Sequence, residues 1–159
     1  MFSRIETIEL RKFAGKQLSM SIANNQTGTL WSGFMPLRNQ IRERKGTALY
    51  SLQVYPENYF SKFDPAAIFT KWALTEVSSY DDLPEGIESF LLPAGAYAVF
   101  IHKGDSNSFP KTLQYIFTDW LPQSGYQLDN RPHFEILGDR YKNNDPDSEE
   151  EVWIPINKI

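Results

Sequence analysis

Residues 86–104 read GIESFLLPAGAYAVFIHKG, and they decide the fold class. Two apolar runs of strand length, 87–92 and 95–103, flank Pro93-Ala94-Gly95, so a joined strand pair is predicted there. Upstream, Phe13-Ala14-Gly15 repeats the small-residue pattern. It precedes 16–23, KQLSMSIA, whose polar–apolar alternation predicts a strand, with Gly15 as a turn signal. Residues 2–10 read as a further strand. Downstream of each Ala-Gly comes a helix carrying a Trp. The first starts near Thr27 and aligns Leu30, Trp31 and Phe34; Pro36 ends or kinks it, and 37–44 forms a second short piece. The other is capped by Ser108, with Pro110 in its first turn. Phe109, Leu113, Ile116, Phe117, Trp120 and Leu121 form its apolar stripe, and Pro122 and Gly125 stop it. Two strands follow each helix: 47–55 and 67–78, then 132–138 and 151–156. The order strand–helix–strand–strand thus occurs twice, in halves near 1–79 and 80–159. The predicted fold is one α+β domain over 1–159. It has two pseudo-repeat modules, antiparallel sheets, two main helices on one face and a central ligand cleft.

Composition narrows the function. A net charge of −4 argues against a nucleic-acid-binding face, and the basic stretch Arg38, Arg42, Arg44 and Lys45 reads as a solvated helix end. No cysteine is present, which excludes disulfides, thiol catalysis and cysteine-ligated metals. No apolar run approaches the ~18 residues of a membrane span. The N-terminus lacks the apolar core of a signal peptide, so the cytoplasm is the expected compartment. His102 and His133 lie far apart with no further ligands around them, and there is no phosphate loop or nucleophile elbow. No metal and no cofactor are therefore expected. The acidic run Asp145, Asp147, Glu149, Glu150 and Glu151 lacks the glycine and spacing of a calcium loop and reads as a solvated hairpin tip. The chain carries four Trp, eight Tyr and eleven Phe. Buried Trp and Tyr need partners for their polar atoms, so this excess points either to a ligand-facing surface or to an aromatic-rich core.

Several pieces of the second half form a recognisable series. Pro93, Gly95, Tyr97, Ala98 and Phe100 fit a P-x-G-x-Y-A-x-F stretch. Trp120, Leu121, Pro122, Ser124, Gly125 and Tyr126 fit W-L-P-x-S-G-Y. Phe134-Glu135 and the strand Trp153 to Ile156 complete it. In this order the pieces resemble the GyrI-like family, also known as the AraC-type effector-binding domain; the first half matches only in pattern. The resemblance implies a duplicated strand–helix–strand–strand fold that binds hydrophobic, often cationic compounds between its modules. It also implies a stand-alone member, because the chain begins directly at the first strand with no DNA-binding segment before it. Some stand-alone members act on gyrase, and others hydrolyse cyclopropane-bearing natural products. One departure is that the Tyr often found two residues after the Glu is here Leu137; Tyr141 follows later.

Glu135 is the candidate site residue. Its neighbours Phe134 and Ile136 are apolar, and on a strand it shares a face with His133 and Leu137. A carboxylate in an apolar site requires a partner. An organic cation supplies one, with aromatic faces adding cation–π attraction. Tyr50, Tyr55, Trp72, Tyr97 and Trp153 are the expected walls. The competing reading is a Glu paired with Arg131 or Arg140 at a sheet edge. The expected function is binding of planar aromatic, cationic compounds, without direct nucleic-acid or membrane contact. A hydrolase of cyclopropane-bearing compounds with Glu135 as acid/base is the alternative. A further one is a protein-interaction role toward gyrase or a separate DNA-binding protein.

Overall fold

The computed structural model describes residues 1–159. Its strands are β1 (Phe2–Ile8), β2 (Arg11–Met20), β3 (Leu49–Val54), β4 (Phe69–Glu76), β5 (Glu88–Leu92), β6 (Gly95–Lys103), β7 (Tyr126–Leu128), β8 (His133–Leu137) and β9 (Glu149–Lys158). One continuous sheet runs β1-β6-β9-β8-β3-β4-β2-β5, all of it antiparallel, with β7 added beside β9. The α+β class and the duplicated order are as predicted. Each half contributes three adjacent strands, and the halves meet where β3 pairs with β8. The outer strands are exchanged: β1 pairs with β6 of the second half, and β5 with β2 of the first. The run 86–104 is therefore not a hairpin. β5 and β6 are consecutive but do not pair, and Pro93-Ala94 between them carries the chain from one half-sheet to the other.

Gly15 is not a turn either. It lies inside β2 opposite Leu74, where a side chain would put its first carbon 1.8 Å from the Ala73 carbonyl oxygen. Close strand approach, not a turn, requires glycine here. Gly95 is constrained differently: its φ is +155°, and the Arg131 guanidinium occupies the space a Cβ would take.

The first helix, α1 (Thr27–Arg38), runs through Pro36 rather than ending there. Pro36 lies in the last turn, where the carbonyl it leaves unpaired belongs to the exposed Ser32. The expected second piece over 37–44 is absent. Turns replace it, fastened by Arg44, whose guanidinium donates to the carbonyls of Arg38 and Ile41. The second helix comprises α2 (Phe109–Gln114), a π-helical turn (Tyr115–Trp120) and α3 (Leu121–Gln123). The wide turn ends two residues before Pro122, which has no N–H to return and whose ring crowds the carbonyl of Thr118 within that turn. Ser108 does not cap the helix; its hydroxyl donates to the Asp105 carbonyl, while the Asp105 carboxylate accepts the backbone N–H groups of Asn107 and Ser108.

Both helices lie on the same face, as expected. Ala73, Ser51, Glu135 and Val152 are paired in one row across β4, β3, β8 and β9, so their side chains project to one side. Ala73 packs under α1 with Leu30 and Phe34, and Val152 packs under the second helix with Ile116. α1 covers β2 and β4, and the second helix covers β6 and β9. The central strands β3 and β8 have no helix above them. The opposite face carries the row Trp72, Leu52, Phe134, Trp153 and Val99, with Phe13, Tyr50, Leu74 and Tyr97 around it. Ile8 and Leu92, from the two edge strands β1 and β5, join the same cluster, so the twisted sheet curves around this layer.

Candidate functional site

Glu135 sits at the middle of the uncovered strip, opposite Ser51 and only 9% exposed. It makes no ion pair. Arg131 is bound to Asp129 at 2.6 Å and Arg140 reaches Glu149 at 3.7 Å, so neither supplies the edge partner of the competing reading. Its one side-chain hydrogen bond comes from the Gln53 amide, Nε2 to Oε1, at 3.1 Å. Gln53 is itself buried and also reaches the Ser51 hydroxyl at 3.4 Å.

The neighbouring charge belongs to Lys71 of β4, which pairs with Gln53 in register. Its ammonium donates to the Thr27 hydroxyl at the start of α1, 3.1 Å away, and not to a carboxylate. Thr27 in turn donates to Asn25 at 2.6 Å, which anchors the lysine away from Glu135. A second carboxylate lies on the other side. Of the three consecutive glutamates opening β9, Glu149 pairs with Arg140, and Glu151 pairs with Arg4 and accepts the Trp153 indole N–H. Glu150 faces the helix side between them, half-buried and with neither an ion pair nor a side-chain hydrogen bond. The acidic run is thus not a wholly solvated tip.

Burial governs the protonation of this group. It pushes the Glu135 carboxyl up to about 7, against the opposing pull of Lys71 and the Gln53 hydrogen bond. Burial, with the Glu135 charge adding to it, raises Glu150 to about 8. Lys71 is held below its ordinary value by burial, although both glutamates act to raise it. Two carboxylates and one ammonium therefore share a poorly solvated strip in which neither acid has a direct counter-ion.

Aromatic rings roof the strip, but they are mostly not the expected ones. Tyr50, Trp72, Tyr97 and Trp153 all lie in the core on the opposite face of the sheet. There the Tyr97 hydroxyl donates to the Pro132 carbonyl at 2.7 Å, and the Trp153 ring stacks on Phe134 at 5.1 Å. Strand parity separates them from Glu135: they are paired with, or neighbours of, residues one position out of phase with it. Only Tyr55 is brought to the Glu135 side. Burial raises its hydroxyl pKa, and the Glu135 charge raises it further. Around it are Tyr59 and Phe60 from a 3₁₀ turn (Tyr59–Ser61), Phe69 of β4 and Phe117 of the π-helical turn. Tyr55 meets Tyr59 at 4.6 Å, Phe60 at 4.8 Å and Phe69 at 5.3 Å, and Phe60 stacks on Phe117 at 5.3 Å. Phe60 is 44% exposed. The 56–68 loop that carries it has one backbone hydrogen bond to the rest of the chain, from Ala23 N–H to the Pro65 carbonyl. The site therefore has a charged floor, a fixed aromatic wall and a loosely tethered aromatic roof. Gln53, Lys71, Glu150, Phe69 and the 59–60 pair escaped sequence reasoning. Alternation along β3, β4 and β9 places the first three on this face once the register is known.

Comparison with known proteins agrees with this fold. The sequence profile of the GyrI-like small molecule binding domain matches residues 1–157. The chain belongs to that family. Within the GyrI-like group, it is 27% identical over 157 residues to the transcriptional regulator BrlR of Pseudomonas aeruginosa, covering 98% of this chain and 56% of BrlR. It is 36% identical over 83 residues to a DNA gyrase inhibitor of Erwinia billingiae, covering 48% of this chain and 51% of that protein. The chain thus spans about half the length of the curated relatives it matches. Among solved structures, SAV2435 bound to tetraphenylphosphonium superimposes with a TM-score of 0.75 at 11% identity, over 99% of this chain and 94% of the other; that likeness is one of fold. No helix of this chain is long and apolar enough to cross a membrane.

Proposed function

We propose that this GyrI-like domain binds flat, hydrophobic organic cations in the strip between its two helices, with Glu135 as counter-charge and Tyr55, Phe60, Phe69 and Phe117 as walls. The observation that carries this is a carboxylate buried at the sheet centre with no ion-pair partner. Such a group is expensive to ionise alone, and an incoming cation removes that penalty. Aromatic faces around it add cation–π attraction without fixing one ligand shape. The tetraphenylphosphonium carried by SAV2435 is likewise a hydrophobic organic cation, with aromatic rings set tetrahedrally rather than in one plane. Calorimetry with tetraphenylphosphonium and with neutral triphenylphosphine oxide tests the reading. Glu135→Gln is expected to weaken the cation by roughly 1.5–3 kcal/mol and the neutral compound far less. Equal losses, or none, remove Glu135 from the role.

A second reading follows from the same carboxyl. Held at about 7 beside Tyr55, Glu135 is poised for proton transfer, as hydrolysis of a cyclopropane-bearing compound requires. Multiple turnover that collapses in Glu135→Gln while substrate still binds would favour it. A role toward gyrase rests only on the partial match to the Erwinia protein. A pull-down with gyrase tests it.

A further inference from the structure

Beside the Glu135 strip, at the His133 end of β8, lies a hollow of about 240 Å³. Tyr55, Tyr59 and Phe60 line it on one side, and Asn130, Arg131 and His133 on the other. His133 is 5% exposed, yet neither of its ring nitrogens has a hydrogen-bond partner in the protein. Its ring is held in place by its neighbours: Phe60 stacks on it at 5.2 Å, inclined by 20°, and Tyr55 meets it edge-on at 4.9 Å. Both nitrogens keep some access to solvent on the hollow side, so an imidazole fixed against a cavity with no partner in the protein is free to bond whatever enters it.

We propose that this hollow seats an uncharged planar ring carrying its own hydrogen-bond donor and acceptor, recognised by the His133 imidazole and by the faces of Tyr55 and Phe60. The proposal rests on the cationic reading of Glu135 only for what lies at the other end of a ligand long enough to span both. The size fits: whole-ligand pockets run from about 300 Å³ upward, so this hollow takes one ring system of a larger molecule. Charge selects against an anion. Glu57 and Asp129 both line the hollow, and Arg131 is bound through Nε to Asp129 at 2.6 Å and through Nη2 to the carbonyls of Ala96 and Ile156 at 2.6 and 3.1 Å, which leaves only Nη1, packed over Gly95, without a partner. The imidazole does not attract one either: burial, with Arg131 adding to it, lowers His133 to about 3, so it is neutral and offers one donor and one acceptor. His133 and Glu135 are two residues apart on one strand and face the same side, so hollow and charged floor adjoin. A ligand that uses both has a cationic end at Glu135 and a neutral, hydrogen-bonding ring at His133.

The test uses two probes on the full chain. 2-Quinolone is planar and uncharged and has one donor and one acceptor. Tetraphenylphosphonium is cationic and has neither. Wild type is expected to bind 2-quinolone saturably, Glu135→Gln to bind it within about twofold of wild type, and His133→Phe to bind it about tenfold more weakly. Tetraphenylphosphonium is expected to follow the opposite pattern, weakened by Glu135→Gln and not by His133→Phe. In wild type, independently of whether His133→Phe folds, 2-quinolone should shift the nitrogen resonances of the His133 ring. Absence of saturable 2-quinolone binding, an unshifted His133 ring, or equal affinity in His133→Phe would overturn the inference. If 2-quinolone fails while tetraphenylphosphonium binds through Glu135, the inference alone falls. If both fail on wild type, the Glu135 reading falls with it.

Discussion

Two rows cross the same four strands, one residue out of phase. Trp72, Leu52, Phe134 and Trp153 face one way; Ala73, Ser51, Glu135 and Val152 face the other. Both surroundings are rich in aromatic rings, so aromatic content alone does not mark the ligand side. The first row is closed: its residues are at most 7% exposed, and its rings interlock, with Phe134 touching Tyr50, Tyr97 and Trp153. The second is open in a chemical sense. Its central carboxylate lacks a counter-ion, its lysine is tied elsewhere, and part of its roof is a tethered loop. A core satisfies its groups internally, whereas a site leaves some of them for a ligand.

The comparison breaks most visibly on the closed side. Phe134→Ala is expected to destabilise the protein by about 3–5 kcal/mol, because it opens a void among rings that do not relax into it. Chemical denaturation monitored by tryptophan fluorescence measures it, and a loss under about 1 kcal/mol would mean that this row is not the main core.

On the open side the sign reverses. Glu135 holds its proton to about 7 in the fold against an ordinary 4.5, so the folded state binds the extra proton. Stability therefore falls as pH rises from about 4.5 to 7, and it stays lowered above that. Glu135→Gln removes this penalty and is expected to be more stable than wild type by roughly 1–3 kcal/mol at pH 8, with the gain vanishing near pH 4. Melting curves of both proteins across this range check it. A variant less stable at pH 8 would show that the Gln53 hydrogen bond outweighs the burial of charge.

Ligand binding should carry the same proton. With Glu135 at about 7 and Glu150 at about 8, a cation displaces protons on entering. Affinity for tetraphenylphosphonium is expected to rise between pH 6 and 8, by up to about tenfold per unit for each proton released. Calorimetry in buffers of different ionisation enthalpy counts those protons. A flat pH profile would mean that both carboxyls stay protonated or that the cation binds elsewhere. The smallest effect concerns the roof. Phe60→Ala removes a 44% exposed ring and is expected to change stability by less than about 1 kcal/mol, while association of the cation becomes severalfold faster. Stopped-flow fluorescence reads this, and an unchanged rate would show that the loop does not gate entry.

Much of this was legible beforehand, for identifiable reasons. Alternation in 47–55 and 132–138, the stripe from Phe109 to Leu121 and the repeated Ala-Gly are local signals, and they gave the α+β class, the duplication and both helices. Glu135 between Phe134 and Ile136 is likewise a local anomaly. The errors share one cause. Phe13-Ala14-Gly15 and Pro93-Ala94-Gly95 resemble turns because small residues permit both turns and close packing; which one occurs depends on Ala73 and Arg131, distant in the chain. The four misplaced walls had the right chemistry and the wrong parity. His133 was known to share a face with Glu135, but its unpaired nitrogens were not, because pairing is a property of surroundings.

The sequence by itself determined the elements, their repetition and the presence of an awkward carboxylate, since these follow from each residue and its immediate neighbours. Tertiary structure alone decided that the β3–β8 register sets Ser51 opposite Glu135, that Lys71 is held by Thr27 rather than by a carboxylate, and that Glu150 turns inward between two paired glutamates. Side chains on a strand alternate strictly, so one choice of register assigns every ring to core or site at once, and that choice is made by contacts between residues far apart in the chain.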